Sequence, residues 1–151
     1  MKKIKQIAKY ILIPLVIGFI GYLLGGKVEI YTSINKPTFA PPSFLFPIAW
    51  SIIYILLGIG AYLVSKDKAS KKALTIYYIG LGINALWSLI FFRLHLFLLS
   101  SIWIILLLII VCYMFTLFLR INKTAGYLQI PYILWLIFAF ILNYSIYILN
   151  V

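Results

Sequence analysis

Residues 96–119 read LFLLSSIWIILLLIIVCYMFTLFL, 24 positions without one Asp, Glu, Lys, Arg or His. A bilayer's hydrocarbon core is about 30 Å thick and takes roughly 20 apolar residues to cross as a helix. A membrane strand would need only about 10. The length and the unbroken apolar character of this run therefore specify a transmembrane helix. The same signature recurs on both sides of it. Apolar runs at about 7–24, 47–64, 73–92 and 128–149 complete a set of five. Gly25-Gly26 punctuates the end of the first, and Pro47 suits the first turn of the second. The expected fold is all-α, a five-transmembrane-helix bundle forming a single domain over residues 1–151, with no internal repeat and no water-soluble domain.

Composition agrees. Apolar residues make up 66% of the chain and charged ones 10%, with a mean hydropathy of +1.15. Soluble domains keep about a quarter of their residues charged, and a surface this poor in charge would associate in water. The N-terminus opens like a signal sequence, but no small-residue cleavage site precedes Gly25-Gly26, so an uncleaved first helix is expected. Cys112, alone in the chain, lies within an apolar run and permits no intramolecular disulfide.

Thirteen Lys and Arg stand against two acids, Glu29 and Asp67. The basic residues sit at the ends of apolar runs, not on a continuous face between aromatics, so the excess does not point to nucleic acid. With five spans, Lys2, Lys3, Lys5, Lys9, Lys66, Lys68, Lys71, Lys72, Arg120 and Lys123 share one side, ten in all, against Lys27, Lys36 and Arg93 on the other. The positive-inside rule then predicts a cell-membrane protein with its N-terminus cytoplasmic and its C-terminus outside.

The connection at residues 26–46 is long, aromatic and proline-rich. Lys36-Pro37-Thr38-Phe39-Ala40-Pro41-Pro42 restricts several φ angles and pushes the residues before each proline toward extended backbone. Such a segment reads equally as a rigid lid over a cavity or as a plain interfacial connector.

The central parts of the spans hold no Asp, Glu, Lys, Arg or His. Ion-coupled transporters use such groups as relays, and hydrolases need a nucleophile with a base, so no catalytic residue is assigned. His95 stands beside Arg93 in a short loop and reads as an interfacial residue; no metal site is assigned. Instead, aromatic and amide residues recur at helical spacing. Pro47, Trp50, Tyr54 and Leu57 form one stripe, Asn84, Trp87, Ser88 and Phe91 a second, and Pro131, Trp135, Ala139, Leu142, Asn143 and Ile146 a third. An amide without a partner in hydrocarbon costs several kcal/mol, so Asn84 and Asn143 must face protein, ligand or trapped water. The stripes fit helix–helix glue and an interfacial tryptophan belt. They also fit a flat apolar pocket with a few polar contacts.

Three blocks resemble the tryptophan-rich sensory protein family, also called translocator protein or TspO/MBR and formerly the peripheral-type benzodiazepine receptor. The first is Tyr31 to Trp50, with Lys36-Pro37, Pro41-Pro42, Phe46-Pro47 and Trp50; the second is Asn84-x-x-Trp87-Ser88-x-x-Phe91-Phe92. The third runs from Pro131-Tyr132 through Trp135, Phe138-Ala139, Leu142-Asn143 and Ile146 to Leu149-Asn150. The resemblance implies a five-helix bundle with a cavity beneath the first loop. It implies binding of tetrapyrroles such as protoporphyrin IX, and of isoquinoline or benzodiazepine-type ligands, with no cofactor required. It also implies a homodimer. The ligand-binding residues carried over from it are Tyr31, Pro41, Trp50, Asn84, Trp87, Trp135, Ala139 and Asn143. The chain departs from the family at Ile30, Phe39 and Tyr147, where the family commonly has Trp, and at Gly80, where it has Gln. No Lys or Arg follows Tyr147, so the cholesterol motif sought in this family is not matched.

The implied function is a tetrapyrrole-binding sensor or regulator, with a transporter of porphyrins or other apolar cargo and a light-assisted porphyrin-degrading enzyme as the competing readings. Gly21 and Gly25 form a G-x-x-x-G pair suited to close helix approach, either between subunits or within the bundle. Trp103, outside the matched blocks, is expected to face lipid or a neighbouring subunit.

Overall fold

In hydrocarbon every backbone N–H and C=O must find its partner within the chain, which leaves the helix as the spanning element for runs of this length. The computed structural model describes residues 2–26 and 29–151 and has no strand among them. Lys27, counted above on the less basic side, lies outside the described residues. The elements are α1 (Lys2–Gly25), α2 (Ile30–Ser33), α3 (Leu45–Val64), α4 (Ser70–Ser88), a π-helical turn (Leu89–Arg93), α5 (Phe97–Ile121), α6 (Lys123–Tyr127) and α7 (Ile130–Leu149). Five stretches are long and apolar enough to cross a membrane: Lys3–Gly25, Leu45–Val64, Ser70–Arg93, Phe97–Ile121 and Lys123–Leu149. The chain is an integral, multi-pass membrane protein.

Three local features depart from a plain reading of five uniform spans. The third span does not stay α-helical to its end: it widens over Leu89–Arg93, and His95 then takes a positive φ of 55° to turn the chain. The fifth span is preceded by α6, a separate short helix whose start is capped by the Asn122 side chain accepting from the Ala125 N–H at 2.9 Å. The long first connection contains a single helical turn, α2.

The helices form a ring. α1 packs on α3 and α4, α4 on α5, and α5 on α7. The ring closes where Trp50 of α3 meets Tyr132 and Trp135 of α7 edge-on. Leu57, Leu81, Leu107 and Leu136, one each from α3, α4, α5 and α7, are almost fully buried within one cluster. The outward faces carry exposed Val16, Leu23, Ile52, Ile102, Ile109, Leu134 and Ile148, the apolar surface that a bilayer covers. Trp103 is not on that surface alone: it is half-buried, and its indole N–H donates to the Ile83 carbonyl of α4 at 2.8 Å.

Glycine sets the closest approaches. A Cβ at Gly58 would lie 2.6 Å from the Ile11 Cα, so α1 and α3 touch backbone to backbone there. Gly21 and Gly25 lie against Ala85 and Ser88 of α4, where a Cβ would come within 3.2 Å of backbone atoms. The G-x-x-x-G pair is therefore used inside the bundle, in the internal role that its spacing also allows. Gly58→Leu should force α1 away from α3 and cost about 1 to 3 kcal/mol, as overpacking does. It should lower the midpoint of thermal aggregation followed by size-exclusion chromatography. Gly82→Leu, at a glycine whose added Cβ meets nothing within 4 Å, should leave that midpoint unchanged.

Candidate functional site

At the loop end of the bundle the proline-rich connection is folded down and fastened. Tyr31, buried under it, donates its hydroxyl to the Pro41 carbonyl at 2.8 Å and presents its ring to the edge of Phe46, 5.1 Å away. Burial raises the Tyr31 phenol above its usual pKa, so it remains a donor across the physiological range. The Lys36 ammonium donates to the carbonyls of Tyr31 (2.6 Å) and Ile34 (3.2 Å) and lies 5.1 Å over the Tyr31 ring. The middle of the segment is clasped to the C-terminal end of α7. The Asn35 N–H donates to Asn150 Oδ1 at 3.0 Å, and Asn150 Nδ2 donates back to the Asn35 carbonyl at 2.8 Å. These bonds hold the connection as a cap across the end of the bundle.

Beneath the cap the aromatic stripes converge. Trp50 stacks on Tyr54 at 5.4 Å and stands edge-on to Trp135 at 6.2 Å. Phe46, one turn before Trp50, is edge-on to Trp135 at 6.1 Å. On the opposite wall Trp87 stacks on Phe91 at 5.4 Å. Asn84 and Asn143 each find a partner within the bundle. Asn84 Nδ2 donates to the Tyr54 hydroxyl at 3.3 Å. Asn143 accepts from Trp87 Nε1 at 3.1 Å, and its Nδ2 is shared among Ser100 Oγ (2.7 Å), Ser101 Oγ (3.0 Å) and the Phe97 carbonyl (3.0 Å). Trp135 Nε1, by contrast, is a buried donor with no acceptor.

Little free space remains inside. One void of about 20 Å³ is lined by Phe46, Trp50, Asn84, Trp87, Trp135 and Ala139, among others. A second, also about 20 Å³, lies nearer the cap against Tyr31, Phe46, Trp87, Ala139 and Asn143. Among the described residues no three His, Cys, Asp or Glu side chains come together to hold a metal. What the interior offers is aromatic area, two amides engaged with their neighbours and one free indole N–H. Chemically this is a surface of aromatic faces with little polarity and no charge.

A family model described as the TspO/MBR family matches residues 10–149. The chain belongs to the TspO/MBR family. It is similar to the tryptophan-rich protein TspO of Archaeoglobus fulgidus, 35% identical over 99% of each chain. Protein CrtK of Rhodobacter capsulatus is also 35% identical, over 80% of this chain and 78% of its own. The translocator protein of Ovis aries is 30% identical, over 91% of this chain and 86% of its own.

Seven of the eight residues singled out in the sequence line the two voids. Trp50, Asn84 and Trp135 border the first, Tyr31 and Asn143 the second, and Trp87 and Ala139 both. Pro41 borders neither; its carbonyl holds the Tyr31 hydroxyl. The residue that the sequence reading left out is Phe46, which borders both voids. Its signal was available: it stands four residues before Trp50, on the same face of α3. Ser100 and Ser101 were also left out, because a serine within an apolar run carries no periodic mark.

Asn143→Ala should orphan the Trp87 indole N–H and cost about 1 to 3 kcal/mol of stability. A reduced unfolding midpoint is expected together with a shifted Trp87 emission spectrum, measured in a protein retaining Trp87 as its one tryptophan.

Proposed function

We propose that this TspO/MBR protein is a membrane-embedded tetrapyrrole-binding sensor or regulator, taking protoporphyrin IX or a comparable planar ligand between its tryptophan faces beneath the capped end. The observation that carries this reading is the convergence of Trp50, Trp87 and Trp135 on one interior with only amide and hydroxyl polarity around them. A relative in Cereibacter sphaeroides, 31% identical over 81% of this chain, bears the name tryptophan-rich sensory protein. Ligand sites ordinarily measure about 300 to 1,000 Å³, far more than the voids, so binding there requires the walls to part. Phe46 is the side chain best placed to swing, since it stands between the voids. Isoquinoline and benzodiazepine-type molecules, also flat and apolar, fit the same reading. Transport of apolar cargo is the second reading, favoured by a recess that opens sideways between α1 and α3.

Protoporphyrin IX should quench tryptophan emission of the protein in nanodiscs saturably, with a Kd of roughly micromolar, about −8 kcal/mol. Removing one aromatic wall should cost about 1 to 3 kcal/mol, as a packed aromatic anchor does. Trp50→Ala and Trp135→Ala should thus each weaken binding by one to two decades. Trp103→Ala, which loses a bond to Ile83 away from both voids, should leave the affinity per folded molecule nearly unchanged. Equal effects of all three, or quenching that never saturates, would mean partition into lipid rather than a site.

We further propose that the N-terminus is cytoplasmic and the C-terminus outside, from the ten-to-three basic bias between the two ends. In a Cys112→Ser background, a Ser70→Cys probe should resist a membrane-impermeant thiol reagent in intact cells and react once the cells are opened. Labelling from outside would invert the topology.

A further inference from the structure

The roomiest recess bordered by the site's tryptophans is a groove of about 610 Å³ between α1 and α3, floored by α4. Phe19 and Tyr22 of α1 form one wall, Phe44 and Ser51 the other, and Trp50 and Trp87 lie at its depth. The groove opens sideways. Phe19, Tyr22 and Phe44 are 60%, 57% and 62% exposed, and the same surface continues through Val16, Leu23, Ile48 and Ile52, all exposed. It is thus continuous with the belt that the bilayer covers. Along the bilayer-facing part of the groove the Ser51 hydroxyl is engaged with the Pro47 carbonyl at 2.7 Å; Ser43 and Ser88 lie toward its loop end beside Gly25 and Gly26. An apolar recess does not hold water, and one that opens on hydrocarbon is filled by it.

We propose that this groove holds an acyl chain of a bilayer lipid, with Phe46 as the partition that keeps the chain out of the interior. Phe46 lines the groove and both inner voids, and so does Trp87. Trp50 faces the groove on one side and the void against Trp135 on the other. A chain seated in the groove lies against the back of the interior and is separated from the two voids by two phenyl rings, Phe46 and Phe92, and the indoles of Trp50 and Trp87. This holds whatever the interior binds.

Lipids brominated on their acyl chains quench indole emission at close range and serve as the probe. A protein keeping Trp50 alone, with Trp87, Trp103 and Trp135 replaced by Phe, is placed in nanodiscs of brominated or plain phosphatidylcholine. Its emission should fall several-fold in the brominated discs. Ser51→Phe, which fills the groove, should restore most of that emission. Ile52→Phe, one residue away on the outer surface, should not. In a protein keeping Trp135 alone, Phe46→Ala should join the groove to the interior and raise quenching at least twofold. Quenching of Trp50 that Ser51→Phe leaves unchanged would show that bromine approaches by another path, and the groove holds no chain. An unquenched Trp50 would mean that protein, such as a second copy, covers the groove. Trp135 quenching indifferent to Phe46→Ala would remove Phe46 as the partition. If the single-tryptophan proteins do not fold, the Ser51→Phe and Ile52→Phe comparison in the four-tryptophan protein decides the occupancy with the same two outcomes.

Discussion

The side chain of Asn143 holds the capped half of the molecule together. Hydrocarbon gives an amide nothing to bond with, so an asparagine in the middle of a span is tolerable only where neighbouring helices answer it. Here α5 answers with Ser100, Ser101 and the Phe97 carbonyl, and α4 answers with the Trp87 indole. One side chain on α7 thereby fixes the register of two other helices. It also fixes the orientation of Trp87, the ring that borders the groove and both voids. Helix glue and site wall, which the sequence offers as alternatives, are the same residue.

Close approach does the rest. α1 is joined to its neighbours through glycine, at Gly58 of α3 and at its own Gly21 and Gly25 against α4. Contacts of that kind leave no side chain to adjust, so α1 sits at a fixed distance where the glycines lie. The groove lies along the same helix where α1 and α3 do not close over Trp50. The bundle closes tightly at its glycines and leaves its groove and voids among its aromatics.

Length and punctuation made the five spans legible, because hydrocarbon thickness sets them and the bounding Gly and Pro residues mark them. The places where the sequence misled are those where a local geometry overrides the period. The π-helical turn at Leu89–Arg93 has the composition of ordinary helix, and nothing in Leu-Ile-Phe-Phe-Arg announces an i→i+5 pattern. Asn122 caps α6, but a five-residue helix carries too little periodicity to be seen beside a long span. Within the site, tryptophans and amides stand out against aliphatic neighbours. Phe46 stands out less: its spacing of four from Trp50 marks the shared face, but a phenylalanine in an aromatic stretch is easily passed over as lipid-facing surface. Trp103 adds a bond the sequence did not show: its indole N–H finds a backbone carbonyl on α4, a partner that no sequence pattern displays.

An interior without acids, bases or cations in its walls has few ways to discriminate. The walls of the voids carry no charge, and their polarity is confined to a few groups such as the unpartnered Trp135 N–H and the amides of Asn84 and Asn143. Selectivity then rests on shape and on the work of parting the walls. Dispersion between flat faces is sensitive to separation, losing a quarter to a half of its strength over a gap of about 0.5 to 1 Å. A molecule thick enough to hold the rings apart is therefore rejected as firmly as one too small to span them. Phe46, the wall whose movement the proposed binding calls for, is also a wall of the groove. Where both proposals hold, affinity for an interior ligand would be a property of the protein and its bilayer together: a lipid chain that packs well behind Phe46 would raise the work of moving it, and a poorly packing chain would lower it. The surrounding membrane would then act as a second ligand, coupled to the first through Phe46 and the rings beside it.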